Sequence, residues 1–174
     1  MPMLFFRFFR PATAAICAVI LVLWGSAGLQ QVQAATTGPF SDFGGSWSGS
    51  GTIRQQGGKT ERIRCRATYR ERGSTGHQVD LRLSCDSDSY KFDLSGNFSV
   101  DASNQLSGRW TEQSRSIGGT VLGLANGNNL QIHIESSAFS ANLHMTTRGR
   151  RQTVRIDSHG GGQVVTAAVS LRKR

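Results

Sequence analysis

Ten short runs of alternating apolar and polar residues constrain the fold of this chain more than any other feature. They span 46–54, 61–69, 78–85, 90–100, 105–112, 118–125, 130–136, 139–147, 151–158 and 164–171. A period of two is typical of a β-strand with one buried face. Pro39 precedes the first run and no proline follows it, so proline interrupts none of the strand ladders. The chain after Pro39 is therefore predicted to be all-β.

The segments between the runs have the composition of tight turns. They include "GSTG", "DASN", "ANGN", "TRGR" and "HGGG". Connections this short make each strand pair with the next one in antiparallel fashion. Such a meander leaves two unpaired edges, and closing the sheet on itself removes both. The sequence therefore predicts an antiparallel up-and-down β-barrel of about eight to ten strands.

The N-terminal segment has the features of an export signal. Arg7 and Arg10 precede an apolar run, and the small residues Val32 and Ala34 occupy the −3 and −1 positions of a cleavage site. We expect a signal peptide over 1–34, a lead-in over 35–44 and a single barrel domain over 45–174. The alternative is an uncleaved anchor, for which the apolar run is barely long enough. The prediction is a periplasmic or secreted protein with no transmembrane domain after cleavage.

Cys65 and Cys85 are predicted to form a disulfide. Export would place them in an oxidising compartment, where a pair of cysteines is normally bonded. The "GSTG" turn independently brings them together, on the face shared by Ile63 and Leu83. The bond would join neighbouring strands on the inner side of the sheet.

Strand alternation also predicts which side chains point into the barrel. The "DASN" turn places Val100 opposite Leu106, and the "ANGN" turn is expected to place Leu124 opposite Leu130. The predicted inner set that could line a ligand cavity is Phe92, Phe98, Trp110, Leu122, Ile132 and Met145. A fully packed core is the alternative for a narrow barrel.

The sequence also predicts an arginine-rich outer face. Its predicted members are Arg62, Arg64, Arg66 and Arg82. Arg82 should join the others from the next strand, opposite Thr68, while Arg70 should pair with Asp80. Guanidinium groups bind phosphate and carboxylate in bidentate fashion, which favours an anionic envelope polymer or a protein as partner. Aromatic residues are too few for a nucleic-acid platform, and a solvated charged face is the alternative.

His133 and His144 form a weak candidate metal site with Glu135 and Asn142 nearby. We expect the two histidines to lie opposite each other in a hairpin. Two imidazoles and a carboxylate suit zinc. The apolar residues of both strands occupy the other face, however, so the histidines are expected in water, and no metal or cofactor is predicted.

The sequence contains no complete catalytic motif. "HGGG" at 159–162 matches an oxyanion-hole segment of some esterases, but no G-x-S-x-G serine elbow accompanies it. A turn is the better interpretation. The sequence therefore predicts a protein that is not an enzyme.

"GSW" at 45–47 resembles the G-x-W of lipocalins and other calycin barrels. The resemblance implies that Trp47 closes the barrel floor and that a basic side chain near the end of the last strand, here Arg172, packs across it. "GSWSGSGTI", "ERIRCRATY" and "SCDSDSYKFDLSGNF" also resemble small exported proteins of proteobacteria, notably rhizobial types, which implies an envelope location.

Together these patterns predict an exported, non-catalytic binding protein with a calycin-like barrel. Its ligand would be small and partly apolar and would enter the barrel. The alternative is a basic surface module that binds an anionic envelope polymer or a protein through the arginine face.

Overall fold

A computed structural model describes residues 37–160 and 164–174, which form ten β-strands. They are β1 Gly45–Gln55, β2 Thr60–Glu71, β3 Gln78–Asp86, β4 Lys91–Val100, β5 Gln105–Glu112, β6 Ile117–Asn126, β7 Asn129–Ser136, β8 Phe139–Arg148, β9 Arg151–Gly160 and β10 Val164–Lys173. Each coincides with one of the ten alternating runs. The predicted signal peptide over 1–34 lies outside the described residues, as do Gly161 and Gly162 of "HGGG".

The strands form one closed antiparallel barrel. Every strand pairs with its neighbours in sequence, and β1 pairs with both β2 and β10. This confirms the predicted up-and-down barrel. Closure depends on small residues, because a Cβ on Gly49 or Gly51 would collide with the backbone of β10.

The two ends of the barrel differ in burial. We call the end at which β1 begins the closed end, where Trp47, Val79, Leu106 and Leu171 are all buried. The opposite end, where β1 finishes, is called the mouth, and most apolar side chains there are only partly buried. The gradient makes the closed end a packed core and leaves apolar surface accessible towards the mouth.

The predicted lead-in is part of the core. Residues 39–43 form turns, and the backbone N–H of Phe40 donates to the carbonyl of Gly76 at 2.9 Å. The rings of Phe40 and Phe43 are buried and pack edge to face on each other, and Phe43 also packs edge to face on Tyr69. This segment therefore plugs the closed end.

Most predicted registers are confirmed. Val100 lies opposite Leu106, and Thr68 lies opposite Arg82. Cys65 lies directly opposite Cys85, and the two are joined by a disulfide within the core. A disulfide that closes a loop of this length stabilises a fold by about 3 kcal/mol.

The predicted inward orientation of Leu122 is wrong. Its side chain is 64% exposed on the outer face, and the adjacent Val121 is buried instead. The turn of β6 and β7 has only two residues, with Gly127 in the left-handed region at φ 54°. Leu124 consequently pairs with Gln131 rather than Leu130. This shift of one residue reverses which side chains of β6 face the core.

Within the described residues, no helix is long and apolar enough to cross a membrane.

Candidate functional site

The barrel encloses an apolar cavity of about 250 Å³. Five of the six predicted interior residues line it, and Leu122 does not: the five are Phe92, Phe98, Trp110, Ile132 and Met145. Few residues with a polar side chain line it, among them Tyr69, Tyr90 and Ser158. A volume just below the range for drug-sized ligands suits a small molecule. Its apolar walls favour a hydrocarbon-rich ligand.

Aromatic side chains surround the upper part of the cavity, towards the mouth. The half-buried rings of Tyr90 and Phe92 stack with their centroids 6.4 Å apart. The Arg115 guanidinium lies 4.7 Å from the Tyr90 ring centroid, and burial raises the pKa of the Tyr90 phenol. Since these rings are partly exposed, they are the first apolar surface that an entering ligand would meet.

Trp110 lines the cavity near the mouth. Its ring packs on Phe139 at 5.8 Å between centroids and lies over Gly119. The indole N–H is buried, and no described residue accepts a hydrogen bond from it. Burying a donor without an acceptor costs free energy, so packing alone holds this ring in place.

Glu61 ties together two loops of the mouth. Its carboxylate pairs with Lys59 at 2.6 Å and accepts hydrogen bonds from the Ser87 hydroxyl and the Ser89 backbone N–H. Hydrogen bonds from Lys59, Ser89 and Ser87, in that order, lower the pKa of Glu61 to about 2. The ionised carboxylate therefore fixes the 87–90 loop against the start of β2.

Glu112, at the end of β5, has the same role three strands away from Glu61. Its buried carboxylate accepts hydrogen bonds from the backbone N–H groups of Asp93 and Arg115, and it pairs with the Arg115 side chain at 3.6 Å. Burial alone would raise the pKa of Glu112, but these hydrogen bonds outweigh it and the pKa lies below its ordinary value. Two ionised carboxylates thus preorganise the loops around the aromatic rim.

At the closed end, Trp47 is buried as predicted, but the basic side chain near its ring is Lys173 rather than Arg172. Trp47 is buried, and its indole N–H donates to the Phe43 carbonyl at 2.7 Å. Arg172 pairs with Ser48 and is exposed, so the prediction that it covers the ring is wrong. Lys173, one residue further on, places its ammonium 5.8 Å from the Trp47 ring centroid and donates to the Asp42 carbonyl. The alternation of the strand decides which of the two basic residues points inward.

A buried polar chain crosses the closed end and was missed from the sequence. The Tyr69 hydroxyl donates to the Gln152 side chain at 2.9 Å, and Gln152 donates to Thr147 at 3.1 Å. Burial raises the pKa of the Tyr69 phenol well above its ordinary value, so it stays protonated. Because each member has a partner, the chain closes this end without a free polar group facing the cavity.

The candidate metal site does not form. His133 pairs with Asn142, whereas His144 pairs with Gln131, so the two imidazoles are not opposite each other as predicted. The ring nitrogens of His133 bond to Asn142 at 2.9 Å and Glu135 at 3.0 Å, and these bonds raise its pKa. No cluster of three metal-binding side chains occurs within 37–160 and 164–174.

The predicted register of the arginine face is confirmed, since Arg82 lies opposite Thr68 on the outer face. Arg62, Arg64 and Arg66 are exposed along β2. Arg82 also lines a concavity on the outer face of β2–β5, together with Arg70 and Arg109. Arg70 lies opposite Asp80 as predicted, but the Asp80 carboxylate forms its ion pair with Arg72, at 3.1 Å. Arg109 was missed because its place beside Arg82 depends on two further strand registers.

Comparison with known proteins identifies the fold and no closer relationship. No protein-family model and no curated protein matches the chain. The barrel is similar to the crystal structure of Rv2717c from M. tuberculosis, with a TM-score of 0.60 and 13% identity over 78% of this chain and 94% of that one. It is also similar to the S-type phycobiliprotein lyase CPES from Guillardia theta, with a TM-score of 0.56 and 11% identity over 78% and 89% of the two chains. The fold is therefore calycin-like, and the resemblance to rhizobial exported proteins gains no support.

One of these comparisons corrects the prediction that the protein is not an enzyme. A barrel of the same fold is a lyase, so neither the architecture nor the missing serine elbow argues against catalysis. At 11% identity the likeness carries the fold alone and transfers no reaction to this chain.

Proposed function

We propose that the protein binds a small, largely apolar ligand inside its barrel. The observation that carries this proposal is the apolar cavity of about 250 Å³ behind a half-buried aromatic rim. Burial of apolar ligand surface would supply the binding free energy, at roughly 25 cal/mol per Å². The ligand enters through the mouth, because the closed end is sealed by Phe40, Phe43 and Trp47.

The size of the cavity limits the ligand. It corresponds to the volume of about eight liquid waters. A short acyl chain or a single-ring aromatic compound fits this description, and a large macrocycle does not. The two loops held by Glu61 and Glu112 keep the rim ordered before binding, which lowers the entropic cost of association.

Export is part of the proposal. The Cys65–Cys85 disulfide is typical of an oxidising compartment, and the N-terminal pattern of 1–34 is that of a signal peptide. We propose a periplasmic or extracellular protein that begins after Ala34. The intact mass of the protein isolated from the producing cells tests this directly, and a chain retaining residues 1–34 contradicts it.

Neutral n-alkanols of increasing chain length test the interior site. Trp110 fluorescence should change in a saturable manner, and the affinity should rise with chain length until the cavity is full. Ile132→Phe fills part of the cavity and should weaken binding of the longer alcohols by at least tenfold, while Leu122→Phe adds the same group outside and should not. Thermal melts of both variants verify folding. Saturable binding that is equally affected by both substitutions, or absent throughout, contradicts the proposal.

A further inference from the structure

A second concavity lies outside the barrel, on the outer face of β2–β5. Its volume is about 470 Å³, and it is lined by Arg70, Arg82 and Arg109. It is separated from the interior cavity by the sheet itself, whose inner row at this height contains Leu81, Gly96 and Trp110. We call this feature the outer groove. It is independent of the interior site described above.

Strand register explains why the three arginines meet there. Arg70, Asp80, Asn97 and Arg109 occupy one row across β2–β5, since each is the direct partner of the next. With strands spaced by about 4.8 Å, the Cα atoms of Arg70 and Arg109 are about 14 Å apart. Arg82 stands in the adjacent row, between them. The guanidinium groups thus approach the groove from both sides and from its centre.

The charge of these arginines is not neutralised within the described residues. None of the three has a carboxylate within 4 Å, and Asp80, the acid of the groove, is bonded to Arg72 instead. Three unpaired guanidinium groups around one concavity favour an anion. Guanidinium binds phosphate through two parallel hydrogen bonds, and more strongly than it binds neutral oxygen.

Neutral hydrogen-bonding groups fill the space between the arginines. Thr68, Ser95, Asn97 and Thr111 all line the groove, and the hydroxyls of Ser95 and Thr111 lie 3.2 Å apart. A purely inorganic anion would leave most of these groups to water. Their alternating donors and acceptors are suited to the hydroxyls of a sugar ring.

We propose that the outer groove binds a phosphorylated saccharide. Arg82 and Arg109 hold the phosphate, and Ser95, Asn97 and Thr111 contact the ring hydroxyls. The same chemistry occurs in a soluble sugar phosphate and in the phosphorylated sugar headgroup of a lipid. Calorimetric titration with glucose 6-phosphate, inorganic phosphate and glucose tests the chemistry. Phosphatidylcholine vesicles carrying a phosphorylated glucosamine lipid test the second source.

Glucose 6-phosphate should bind in a saturable manner, at least tenfold more tightly than phosphate or glucose. The double variant Arg82→Gln/Arg109→Gln should lose at least about tenfold of that affinity, because charge-assisted hydrogen bonds are removed. The control variant Arg155→Gln/Arg172→Gln removes the same amount of charge from exposed positions of β9 and β10. It should retain the parent affinity for glucose 6-phosphate. If the protein binds the vesicles but not soluble glucose 6-phosphate, and only Arg82→Gln/Arg109→Gln loses vesicle binding, the proposal is supported with a lipid as the source of the phosphorylated sugar.

Three results would overturn the proposal. They are equal losses in the two double variants, equal affinity for inorganic phosphate and glucose 6-phosphate, and no saturable binding to either the sugar phosphate or the vesicles. Binding of alkanols to the interior should be the same in both double variants, which separates this site from the barrel cavity.

Discussion

At the scale of single residues, the two tryptophans of the barrel have opposite roles. Trp47 is buried with a hydrogen-bonded indole, whereas the buried indole N–H of Trp110 has no described partner. The first ring anchors the lead-in segment to the barrel. The second borders the cavity, where packing rather than hydrogen bonding fixes it.

Substitution of each tryptophan by phenylalanine should separate these roles. Trp47→Phe leaves the Phe43 carbonyl without its donor, which costs about 1–3 kcal/mol beyond the loss of ring volume. Trp110→Phe loses volume but no hydrogen bond and so should be the milder change. Urea denaturation of the two variants measures the difference. Equal free energies of unfolding would contradict the assigned role of the Trp47 indole.

At the scale of strands and loops, the mouth is organised by buried carboxylates rather than by turn sequence. Glu61 at the start of β2 holds the loop between β3 and β4, and Glu112 at the end of β5 holds the loop that follows it. Neither glutamate stands out in the sequence, because each occupies an inward position of a strand where an apolar residue is expected. The inward-pointing carboxylates stabilise the loops because backbone N–H groups donate hydrogen bonds to them.

The Glu61 tie should make the mouth sensitive to acid. Its pKa is lowered from the ordinary 4.5 to about 2, so its stabilisation is complete above about pH 4.5 and is lost as the pH falls towards 2. Glu61→Gln should be less stable than the parent protein at pH 7, and the difference should shrink over that interval. Urea midpoints measured from pH 7 to 2 test this.

Asp88→Asn provides the matched control for the acid experiment. Asp88 lies in the same loop and is exposed. Its substitution should change the urea midpoint at pH 7 less than Glu61→Gln does. A Glu61→Gln profile that runs parallel to the parent profile down to pH 2 would show that the carboxylate does not hold the loop.

At the scale of the whole molecule, the seam between β1 and β10 decides that the sheet is a barrel. The glycine-rich β1 lies so close to β10 that Gly49 and Gly51 have no room for a side chain. The apparent linker composition of "GSWSGSGTI" is thus the requirement of a close strand contact. Closure also removes the two edges that would otherwise be free to pair with other chains.

Gly51→Val should open this seam. Its Cβ would collide with the backbone of Ala168 and Val169, and such overpacking costs about 1–3 kcal/mol or more. Ser50→Val is the matched control, because the Ser50 side chain points to the outside. Hydrogen exchange should become faster at β1 and β10 in Gly51→Val only. Uniform exchange in both variants would mean that the seam does not depend on Gly51.

The sequence by itself determined the strand set, the antiparallel meander and the Cys65–Cys85 disulfide, whereas full closure is seen only in the pairing of β1 with β10. Alternation with a period of two and short turns leave few other arrangements, because each hairpin specifies its own pairing. Five of the six predicted interior residues lie on strands with apolar residues of one parity, where that rule is unambiguous. The burial of Trp47 was expected from the resemblance of "GSW" to the G-x-W motif rather than from alternation, and the residue is buried.

Only the tertiary structure decided the orientations that local patterns leave open. In β6, Val121 and Leu122 are both apolar, and the two-residue turn together with the narrow interior turned the smaller side chain inward. Arg172 and Lys173 are both basic, and the pairing of β1 with β10 selected Lys173. The outer groove depends on the registers of three successive hairpins together, and an error of one residue in any of them would turn Arg109 to the other face. The pairing of β4 with both β3 and β5, rather than composition, brings Arg109 to the same face as Arg82.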